Sequence, residues 1–349
     1  MKTIDLRSDT VTLPTDEMIE AIVSAHREGR FGDDVIGEDE VVHELEDKAA
    51  RILGKESALL VTSGTQGNVI ALLAQTRRGD EIVVEEQSHT FLFEAGSMAS
   101  LGGLFPKPVK GVRGYILPET LQSVVSPDDT HYARTSMVVV ENTHNYAGGT
   151  ITRPEQVKAL ADVAHDNGLL VHCDGARLFN AAVALGIPAK KLIENVESIQ
   201  ICLSKGLSAP IGSMIAGSEE FIHTARRVRK RLGGGMRQVG LIAAPGIVAL
   251  EKMVDRLADD HANAKILYKA FSKIDGLIVD EPETNIVFVH LNDFSINAGK
   301  FSEELRKRGV LVYGEYGKRV RFVLNRMVER EDMSRVATAA EEILNPVRI

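Results

Sequence analysis

Two stretches of this sequence end an apolar run with side chains that can do chemistry. LLVHCDGAR ends with Asp174 and Arg177, and IQICLSKGLSAPIGS passes from an apolar run into Ser204 and Lys205. Both runs are typical of buried parallel strands, with the charge arriving where each strand stops. Ligands of open α/β sheets bind in the crevice beyond the carboxyl ends of the strands. We therefore expect these four side chains to face one pocket, although they come from separate strands.

The acid and the lysine, which are 31 positions apart (205 − 174), suit pyridoxal phosphate. This cofactor needs a lysine that forms a Schiff base and an acid that keeps the pyridine nitrogen protonated, so that the ring accepts electrons. Taken singly, Asp174 is equally well explained as a helix cap and Lys205 as a solvated loop residue. The two together, combined with the phosphate loop described next, favour the cofactor.

The stretch ALLVTSGTQGNVIALLAQ predicts where the phosphate binds. A strand over residues 58–61 leads into a small polar turn containing Ser63, Gly64 and Thr65, and a helix begins at about Asn68. Backbone N–H groups, hydroxyls and the helix dipole at such a turn bind anions. The turn lacks the lysine of a Walker loop and the glycine spacing of a dinucleotide site. A plain helix cap is the alternative interpretation.

Two further strand ends carry polar groups that we expect at the same crevice. His89 follows a short strand, and ENTHNYAGG places Asn142, His144 and Asn145 just after another. A single histidine is more often a packed or surface residue than a catalytic one. At a strand end of this architecture, His89 is suited to stack on a pyridine ring or to act as a base.

Polar groups also concentrate in the N-terminal arm and in two C-terminal segments. Arg7, Ser8 and Asp9 lie in the extended segment MKTIDLRSDTVTLP, which is either a disordered tail or an arm folded over a site or a neighbouring subunit. Arg237 follows three glycines, which allow unusual backbone angles. Arg321 lies in a strand of alternating character, so it points either to solvent or into a domain cleft.

The length and the helical pattern predict two domains. A chain of 349 residues is too long for one compact core. We place the N-terminal arm and a large cofactor-binding domain in residues 1–245 and a small α/β domain in residues 246–349. A long helix over residues 241–274 begins close to this boundary.

Charge and cysteine usage exclude some partners. The net charge of −8 argues against nucleic acid or an anionic membrane surface as a partner. Cys173 and Cys202 lie in apolar strands, as is typical of reduced core residues in a cytosolic protein. No stretch reaches the ~18 apolar residues of a transmembrane helix, and the start has no apolar signal-peptide core. We therefore expect a cytoplasmic enzyme and assign no metal ligands.

Seven motifs in this order give the chain a family resemblance: DLRSDTVTLP, SGTQGN, EQSHTFLFEAG, ENTHN, DGARLFNA, CLSKGL and GGGMRQ. From residue 5 to about residue 323, the chain resembles the low-specificity L-threonine aldolases, which belong to the aspartate-aminotransferase-like group of pyridoxal-phosphate enzymes. The resemblance implies a large α/β domain with a mostly parallel seven-stranded sheet and a small C-terminal α/β domain. It also implies a homotetramer built from two dimers with shared active sites.

The resemblance implies roles for the residues around the cofactor. Lys205 matches the Schiff-base lysine of the family, and Asp174 matches the partner of the pyridine nitrogen. His89 matches the histidine stacked on the cofactor ring. Gly64 and Thr65 match the phosphate-binding turn.

The resemblance also implies groups that bind the substrate or come from a second subunit. Ser8, Arg177 and Arg321 match the residues that hold the substrate carboxylate. Arg237 matches an arginine that reaches the cofactor phosphate from the adjacent subunit. His131, in DDTHYART, matches a second histidine associated with the substrate hydroxyl.

The implied reaction is the reversible aldol cleavage of L-threonine, L-allo-threonine and related β-hydroxy-α-amino acids to glycine and an aldehyde. The base that takes the β-hydroxyl proton is His89, His131 or a water held between them. An aminotransferase or a β-eliminating lyase on the same scaffold would use Lys205 and Asp174 equally well, and a non-catalytic cofactor sensor is the alternative from another class. The chain departs from the family pattern at Leu324-Asn325, where many members have Thr-His.

Overall fold

The computed structural model describes residues 2–348, within which the chain forms thirteen strands and thirteen α-helices. The strands are β1 (Ile4–Asp5), β2 (Ser57–Val61), β3 (Glu81–Glu85), β4 (Phe105–Val109), β5 (Thr135–Glu141), β6 (Leu170–Asp174), β7 (Ser198–Cys202), β8 (Ser213–Gly217), β9 (Ile278–Val279), β10 (Ile286–His290), β11 (Val310–Leu311), β12 (Tyr313–Tyr316) and β13 (Arg319–Val323). The helices are α1 (Asp16–Arg27), α2 (Glu40–Leu53), α3 (Gly64–Gln75), α4 (His89–Leu92), α5 (Ser97–Ser100), α6 (Pro118–Val124), α7 (Pro154–Asp166), α8 (Leu178–Leu185), α9 (Glu219–Arg231), α10 (Gly240–Lys252), α11 (Leu257–Phe271), α12 (Ala298–Lys307) and α13 (Asp332–Leu344).

Seven strands form the large sheet in the order β2-β8-β7-β6-β5-β3-β4. All neighbours pair in parallel except for β8, which is antiparallel to both β2 and β7. Every residue of β3, β5, β7 and β8 is buried, as expected for strands covered by helices on both faces. The predicted mostly parallel seven-stranded sheet is therefore confirmed. Its six strands of common direction all end at one edge.

Helix α2, which covers this sheet, has a capping residue at each end. Asp39 caps α2 by accepting hydrogen bonds from the N–H groups of Val41 and Val42, and α2 ends at Gly54, whose φ is +63°. A left-handed backbone conformation at this position favours glycine, because glycine lacks a Cβ. The buried face of α2 packs in a large apolar cluster on the sheet that also contains Cys173. Cys173 and Cys202 are both buried and free, as predicted.

The C-terminal part of the chain has its own sheet and core. Strands β12-β13-β10-β9 form a four-stranded antiparallel sheet, and β1 of the N-terminal arm pairs in parallel with β11. Ile4 and Leu6 of the arm are completely buried in the apolar cluster of this region. The arm is therefore an integral part of the structure and brings residues 7–12 to the boundary between the two sheets.

The single long helix predicted over residues 241–274 is wrong. α10 ends at Lys252, and α11 begins at Leu257. Ala249 packs in the core of the large sheet, whereas Leu267 packs in the core of the small one, so the chain must turn between them. The turn contains no glycine or proline, and the sequence therefore gave no break signal. The core of the large sheet extends to Leu257, and the division at 245/246 stays a prediction.

Two smaller findings complete the fold. The short helix α5 ends at Ser100, and β4 begins at Phe105. None of the helices in residues 2–348 is both long enough and apolar enough to cross a membrane.

Candidate active site

Five strands of the large sheet deliver polar side chains to one edge. β2 leads into Ser63, β3 into His89 and β7 into Lys205, whereas β5 ends in Glu141 and β6 in Asp174. Glu141 and Asp174 are register partners on adjacent strands. The backbone N–H of His89 donates to Oε2 of Glu141 at 2.7 Å, which ties a third strand end to this pair. The strand ends that carry these side chains therefore lie together at one edge of the sheet.

Asp174 is a buried carboxylate with neutral partners. The residue is 1% exposed, and its two oxygens accept from Nδ2 of Asn68 at 3.0 Å and from the backbone N–H of Ala176 at 3.1 Å. Among residues 2–348, it makes no salt bridge with a lysine or arginine. A buried carboxylate is costly unless a cation compensates it. The site therefore favours a ligand that brings a protonated nitrogen.

Lys205 is partly buried, with its backbone held in place. Its carbonyl accepts from the hydroxyl of Thr12 in the N-terminal arm at 2.8 Å and from the N–H of Ser208 at 2.9 Å. Its Nζ has no hydrogen bond within the described part of the chain. Ser204, also partly buried, separates Lys205 from the end of β7. The lysine is thus an anchored amine without a protein partner, as an amine that reacts with a carbonyl requires.

The start of α3 is open to an anion. Ser63 caps the helix by accepting from the N–H of Gln66 at 3.2 Å, and the N–H groups of Gly64 and Thr65 belong to the first turn, which has no intrahelical acceptor for them. Ser63 is exposed, and Gly64 and Thr65 are partly exposed. A Cβ on Gly64 would lie 3.0 Å from Sγ of Cys202, so a larger residue would crowd this turn. The turn fits a phosphate.

His89 lies at the mouth of the crevice, where negative charge surrounds it. Burial lowers the pKa of its imidazole, and the charge of Lys205 does the same. A hydrogen bond with Glu94 and the nearby carboxylates of Asp174 and Glu141 outweigh both effects, so the pKa lies above its ordinary value. The ring also lies beside Phe93, with the ring centres 5.8 Å apart.

Two buried arginines converge on one amide oxygen. Nη1 of Arg177 and Nη1 of Arg321 lie 3.2 Å and 2.7 Å from Oδ1 of Asn145. Arg177 also makes a two-pronged salt bridge to Asp9, through Nε at 2.8 Å and Nη2 at 2.7 Å. Ser8 is buried beside this pair, with its hydroxyl 3.4 Å from Oδ1 of Asp9. A guanidinium group can donate two parallel hydrogen bonds to a carboxylate, so the position of Arg177 and Arg321 suits the carboxylate of a ligand.

Asp9 fixes Arg177, and we predict that Asp9→Asn destabilises the protein. Burial raises the pKa of Asp9, but Arg177, the hydrogen bonds and the Lys205 charge hold it below its ordinary value. Breaking a buried ion pair leaves an uncompensated charge, so we expect the free energy of unfolding at pH 7 to fall by about 3 kcal/mol in a urea titration.

The pH dependence of that loss follows from the direction of the shift. The depressed pKa means that the unfolded state binds a proton first, so the contribution of Asp9 is lost as the pH falls. The stability gap between wild type and variant should persist to about pH 4 and close below it. Asp162→Asn, which breaks an exposed pair with Lys158, is the control and should cost less than about 1 kcal/mol. Equal losses in the two variants would contradict the buried-pair interpretation.

The donor set fits pyridoxal phosphate. An uncompensated buried carboxylate suits its pyridine nitrogen, an unpartnered amine suits its aldehyde carbon, and an open helix start suits its phosphate. A ring nitrogen of His89 and carboxylate oxygens of Glu94 and Asp174 lie within 4.8 Å of one another, so these three groups form one compact cluster.

Comparisons with known proteins agree with this geometry. A family model described as beta-eliminating lyase matches residues 5–293. The low specificity L-threonine aldolase of Escherichia coli (strain K12) is 41% identical over 335 residues, which cover 96% of this chain and 97% of the relative. The chain belongs to the low-specificity L-threonine aldolase family.

Several solved structures have the same fold as this chain. A putative L-allo-threonine aldolase from Listeria monocytogenes has a TM-score of 0.81 at 21% identity, covering 98% of this chain and 97% of that one. A Thermus thermophilus aspartate aminotransferase mutant has a TM-score of 0.76 at 17% identity, with coverages of 98% and 96%. The predicted aspartate-aminotransferase-like fold is confirmed.

His131, which the family resemblance places at the site, lies far from the crevice of its own chain. His131 is in the loop before β5, at the amino end of the strand, whereas the crevice is at the carboxyl end. Its side chain is 85% exposed, and Nδ1 lies 2.7 Å from Oδ1 of Asp129. A role for His131 in catalysis therefore requires a second chain and stays a prediction.

Arg237 is also exposed, and within its own chain it pairs with a residue outside the predicted site. Its side chain is 64% exposed and forms a salt bridge of 2.6 Å with Asp33. The glycine loop before it lies against Gln66, because a Cβ on Gly234 would be 2.6 Å from Nε2 of that residue. The loop is thus close to the start of α3, although the arginine faces outward.

Other polar residues near the strand ends form hydrogen bonds that hold the fold together. His144 is buried and contacts Oε2 of Glu85 at 3.0 Å, and the side chain of Asn142 donates to the carbonyl of Thr152 at 2.8 Å. Asn325, at the position where the chain departs from the family pattern, is buried and donates to the carbonyl of Asp5 at 3.1 Å. This substitution therefore helps to hold the N-terminal arm.

Sequence reasoning missed Asn68 and Glu94, which bridge Asp174 and His89. Asn68 donates to Glu94 at 2.8 Å as well as to Asp174, and Glu94 contacts His89 at 3.2 Å. The available signal was a polar residue next to apolar ones: Asn68 directly precedes VIALLA, and Glu94 lies within FLFEAG. Such residues are costly to bury without partners.

Proposed function

We propose that this chain is a pyridoxal-phosphate-dependent lyase that cleaves L-threonine, L-allo-threonine and related β-hydroxy-α-amino acids, reversibly, to glycine and an aldehyde. The observation that carries the proposal is the convergence of three sites at one sheet edge. These are the uncompensated carboxylate of Asp174, the unpartnered amine of Lys205 and the arginine pair Arg177 and Arg321. The names of the relatives and solved structures agree with this reaction.

The cofactor, when bound, supplies an electron sink for the pair released when the Cα–Cβ bond breaks. Asp174 would hold the proton on the pyridine nitrogen, and Ser63, Gly64 and Thr65 would bind the phosphate. Lys205 would hold the cofactor until substrate arrives and then move a proton at Cα. His89 would lie against the ring.

The arginine pair orients the substrate. Ser8, Arg177 and Arg321 would bind its carboxylate, and the two-pronged geometry of a guanidinium fixes the direction as well as the position of the group. Asp9 holds Arg177 from behind and Asn145 joins the two arginines, so the clamp does not depend on substrate for its shape. A fixed carboxylate sets which bond at Cα is aligned for cleavage.

A base must take the β-hydroxyl proton as the aldehyde forms. The candidates are His89, His131 of another chain and a water between them. His89 is the one that the fold of a single chain brings to the crevice, and its raised pKa suits a group that both takes and returns a proton.

A product assay tests the proposed reaction against its rivals. Purified enzyme with the cofactor should convert L-threonine or L-allo-threonine to equal amounts of glycine and acetaldehyde. Transfer of the amino group to an added keto acid would indicate an aminotransferase, and ammonia with a keto acid would indicate β-elimination. Cofactor binding without turnover of either amino acid would support a sensor instead.

A second set of observations supports a proposal for the assembly of the enzyme and for its location in the cell. We propose a cytoplasmic homotetramer, a dimer of dimers in which Arg237 binds the cofactor phosphate of its neighbour. Support comes from the exposed, outward-facing side chain of Arg237 on a glycine loop and from the two buried free cysteines, which suit a reducing compartment. The small-molecule substrate is the expected partner, without nucleic acid or membrane.

Arg237→Ala should weaken cofactor binding without unfolding the chain. The lost hydrogen bond to a charged group is worth about 1.5–3 kcal/mol, so the Kd for the cofactor should rise about tenfold to a hundredfold in a fluorescence titration. Arg231→Ala removes an exposed arginine from the preceding helix and is the matched control. It should leave the Kd unchanged.

A mixing experiment distinguishes a shared site from a local one. Arg237→Ala and Lys205→Ala chains, each inactive at limiting cofactor, should regain activity when subunits exchange. A heterodimer then has one site with an intact Lys205 from one chain and an intact Arg237 from the other. Verified exchange without recovered activity would mean that both residues act within one chain.

A further inference from the structure

A run of buried polar groups lies behind His89. Nδ1 of His89 is 3.2 Å from Oε1 of Glu94, and the same oxygen accepts from Nδ2 of Asn68 at 2.8 Å. Nδ2 of Asn68 also donates to Oδ2 of Asp174 at 3.0 Å, so one amide group joins two buried carboxylates. The side chain of Glu94 is 1% exposed and, among residues 2–348, has no lysine or arginine partner.

His172 contacts the oxygen end of the Asn68 amide. Nε2 of His172 lies 3.1 Å from Oδ1 of Asn68, and Nδ1 lies 2.8 Å from the hydroxyl of Ser198. Burial lowers the pKa of His172 to about 4, so the ring is neutral at pH 7 and carries one N–H. Because Oδ1 of an amide has no proton, Nε2 of His172 must donate to it. The amide nitrogen of Asn68 faces Glu94 and Asp174, because only this end of the amide can donate to their oxygens.

This arrangement determines what Glu94 presents to His89. Oε1 of Glu94 already accepts a hydrogen bond from Asn68, and the ionised carboxylate has no proton to donate to His89. Nδ1 of His89 must then be the donor in its contact with Oε1. In the neutral ring, Nε2 is left without a proton and becomes the basic nitrogen.

We propose that Glu94 is a positioning residue for His89, which holds the imidazole in the Nδ1–H form and leaves Nε2 to exchange the β-hydroxyl proton of the substrate. Only the exchange of the β-hydroxyl proton rests on the proposed aldol cleavage; the Nδ1–H form does not. The alternative is that Glu94 merely anchors the turn after α4, in which case the position of its acceptor oxygen would not affect the histidine proton.

The proton on His89 can be located without cofactor or activity. Magic-angle-spinning NMR of cofactor-free protein with ¹⁵N-labelled histidine distinguishes a protonated ring nitrogen from a bare one, and His89→Gln identifies the signals of this residue among the ten histidines. At a pH where the ring is neutral, wild type should show Nδ1–H. A wild-type ring protonated on Nε2 alone would overturn the proposal, whatever reaction the enzyme performs.

Two variants separate the acceptor from the charge. Glu94→Gln keeps an acceptor oxygen that the fixed Asn68 amide directs toward His89, so it should keep the Nδ1–H form. Glu94→Leu has no acceptor and should shift the ring toward Nε2–H. Glu197→Leu, which removes the partner of His165 at the amino edge of the sheet, is the control and should leave His89 unchanged. An unchanged His89 in folded Glu94→Leu would also overturn the proposal.

Kinetics of the holoenzyme supply the second readout. With L-threonine, Glu94→Leu should lower kcat about tenfold to a hundredfold with little change in KM, within what a positioned acid–base group contributes. Glu94→Gln should stay within about threefold of wild type. Equal losses in the two variants would assign Glu94 a purely structural or charge role. If wild type does not cleave threonine, the proposed function fails while the NMR result still decides the Glu94–His89 contact.

Discussion

Lys205→Ala is expected to lose nearly all turnover, by about 10³-fold or more. The amine of Lys205 is anchored through its own carbonyl by Thr12 and Ser208, and its Nζ is unpartnered among residues 2–348. The variant should also lose the visible absorbance that a covalently held cofactor gives. Steady-state kinetics with L-threonine and an absorbance spectrum after dialysis measure the two losses.

Lys205→Arg distinguishes the reactive amine from its charge. The Lys205 charge acts on Asp9 and on His89, and arginine would keep it while being unable to form the covalent link. It should therefore be as inactive as Lys205→Ala, with the fold of the wild type. Lys158→Ala, at an exposed position on α7, should behave as wild type. Substantial activity in Lys205→Arg would mean that Lys205 acts only as a positive charge.

Arg177→Lys should lower kcat/KM for L-threonine about tenfold to a hundredfold while the Kd for the cofactor changes little. Arg177 uses three of its nitrogen atoms at once, two on Asp9 and one on Asn145, and a lysine ammonium cannot reproduce this planar arrangement. The clamp for the substrate carboxylate would lose both its direction and its rigidity. Kinetics on L-threonine and a cofactor titration test the two halves of the prediction.

Arg134→Lys is the matched control for Arg177→Lys. Arg134 makes a similar two-pronged pair with Asp80, but at the amino edge of the sheet and with a side chain that is mostly exposed. The same chemical change there should leave kcat/KM unaltered. Unchanged kcat/KM in Arg177→Lys as well would remove Arg177 from the substrate site.

The large sheet and its crevice were predictable because strand ends are a local property of the sequence. Apolar runs that stop at Asp174 and Lys205 place both residues at the carboxyl edge, and the polar turn at Ser63 marks a helix start. These features need only the periodicity of nearby residues. The break between α10 and α11 was missed because it depends on which of two cores each half contacts, and that is a tertiary property.

Partners of the site residues were much less predictable. Asp9 and Arg177 are 168 positions apart, and nothing in either segment indicates that they pair. The same holds for Asn68 with Asp174, which are separated by 106 positions. His131 and Arg237 show a further limit, because the roles implied for them depend on surfaces of another chain. Local pattern predicts where reactive groups stand, whereas the groups that hold them come from the folded whole.

The crevice containing Lys205 is where we expect the cofactor to be held and the reaction to occur. Borohydride reduction of the wild-type holoenzyme fixes the cofactor to the residue that binds it, and peptide mapping by mass spectrometry then identifies that residue. We expect a single reduced adduct, on Lys205, with activity lost in proportion to labelling. An adduct on another lysine, or full inactivation with Lys205 unlabelled, would contradict it.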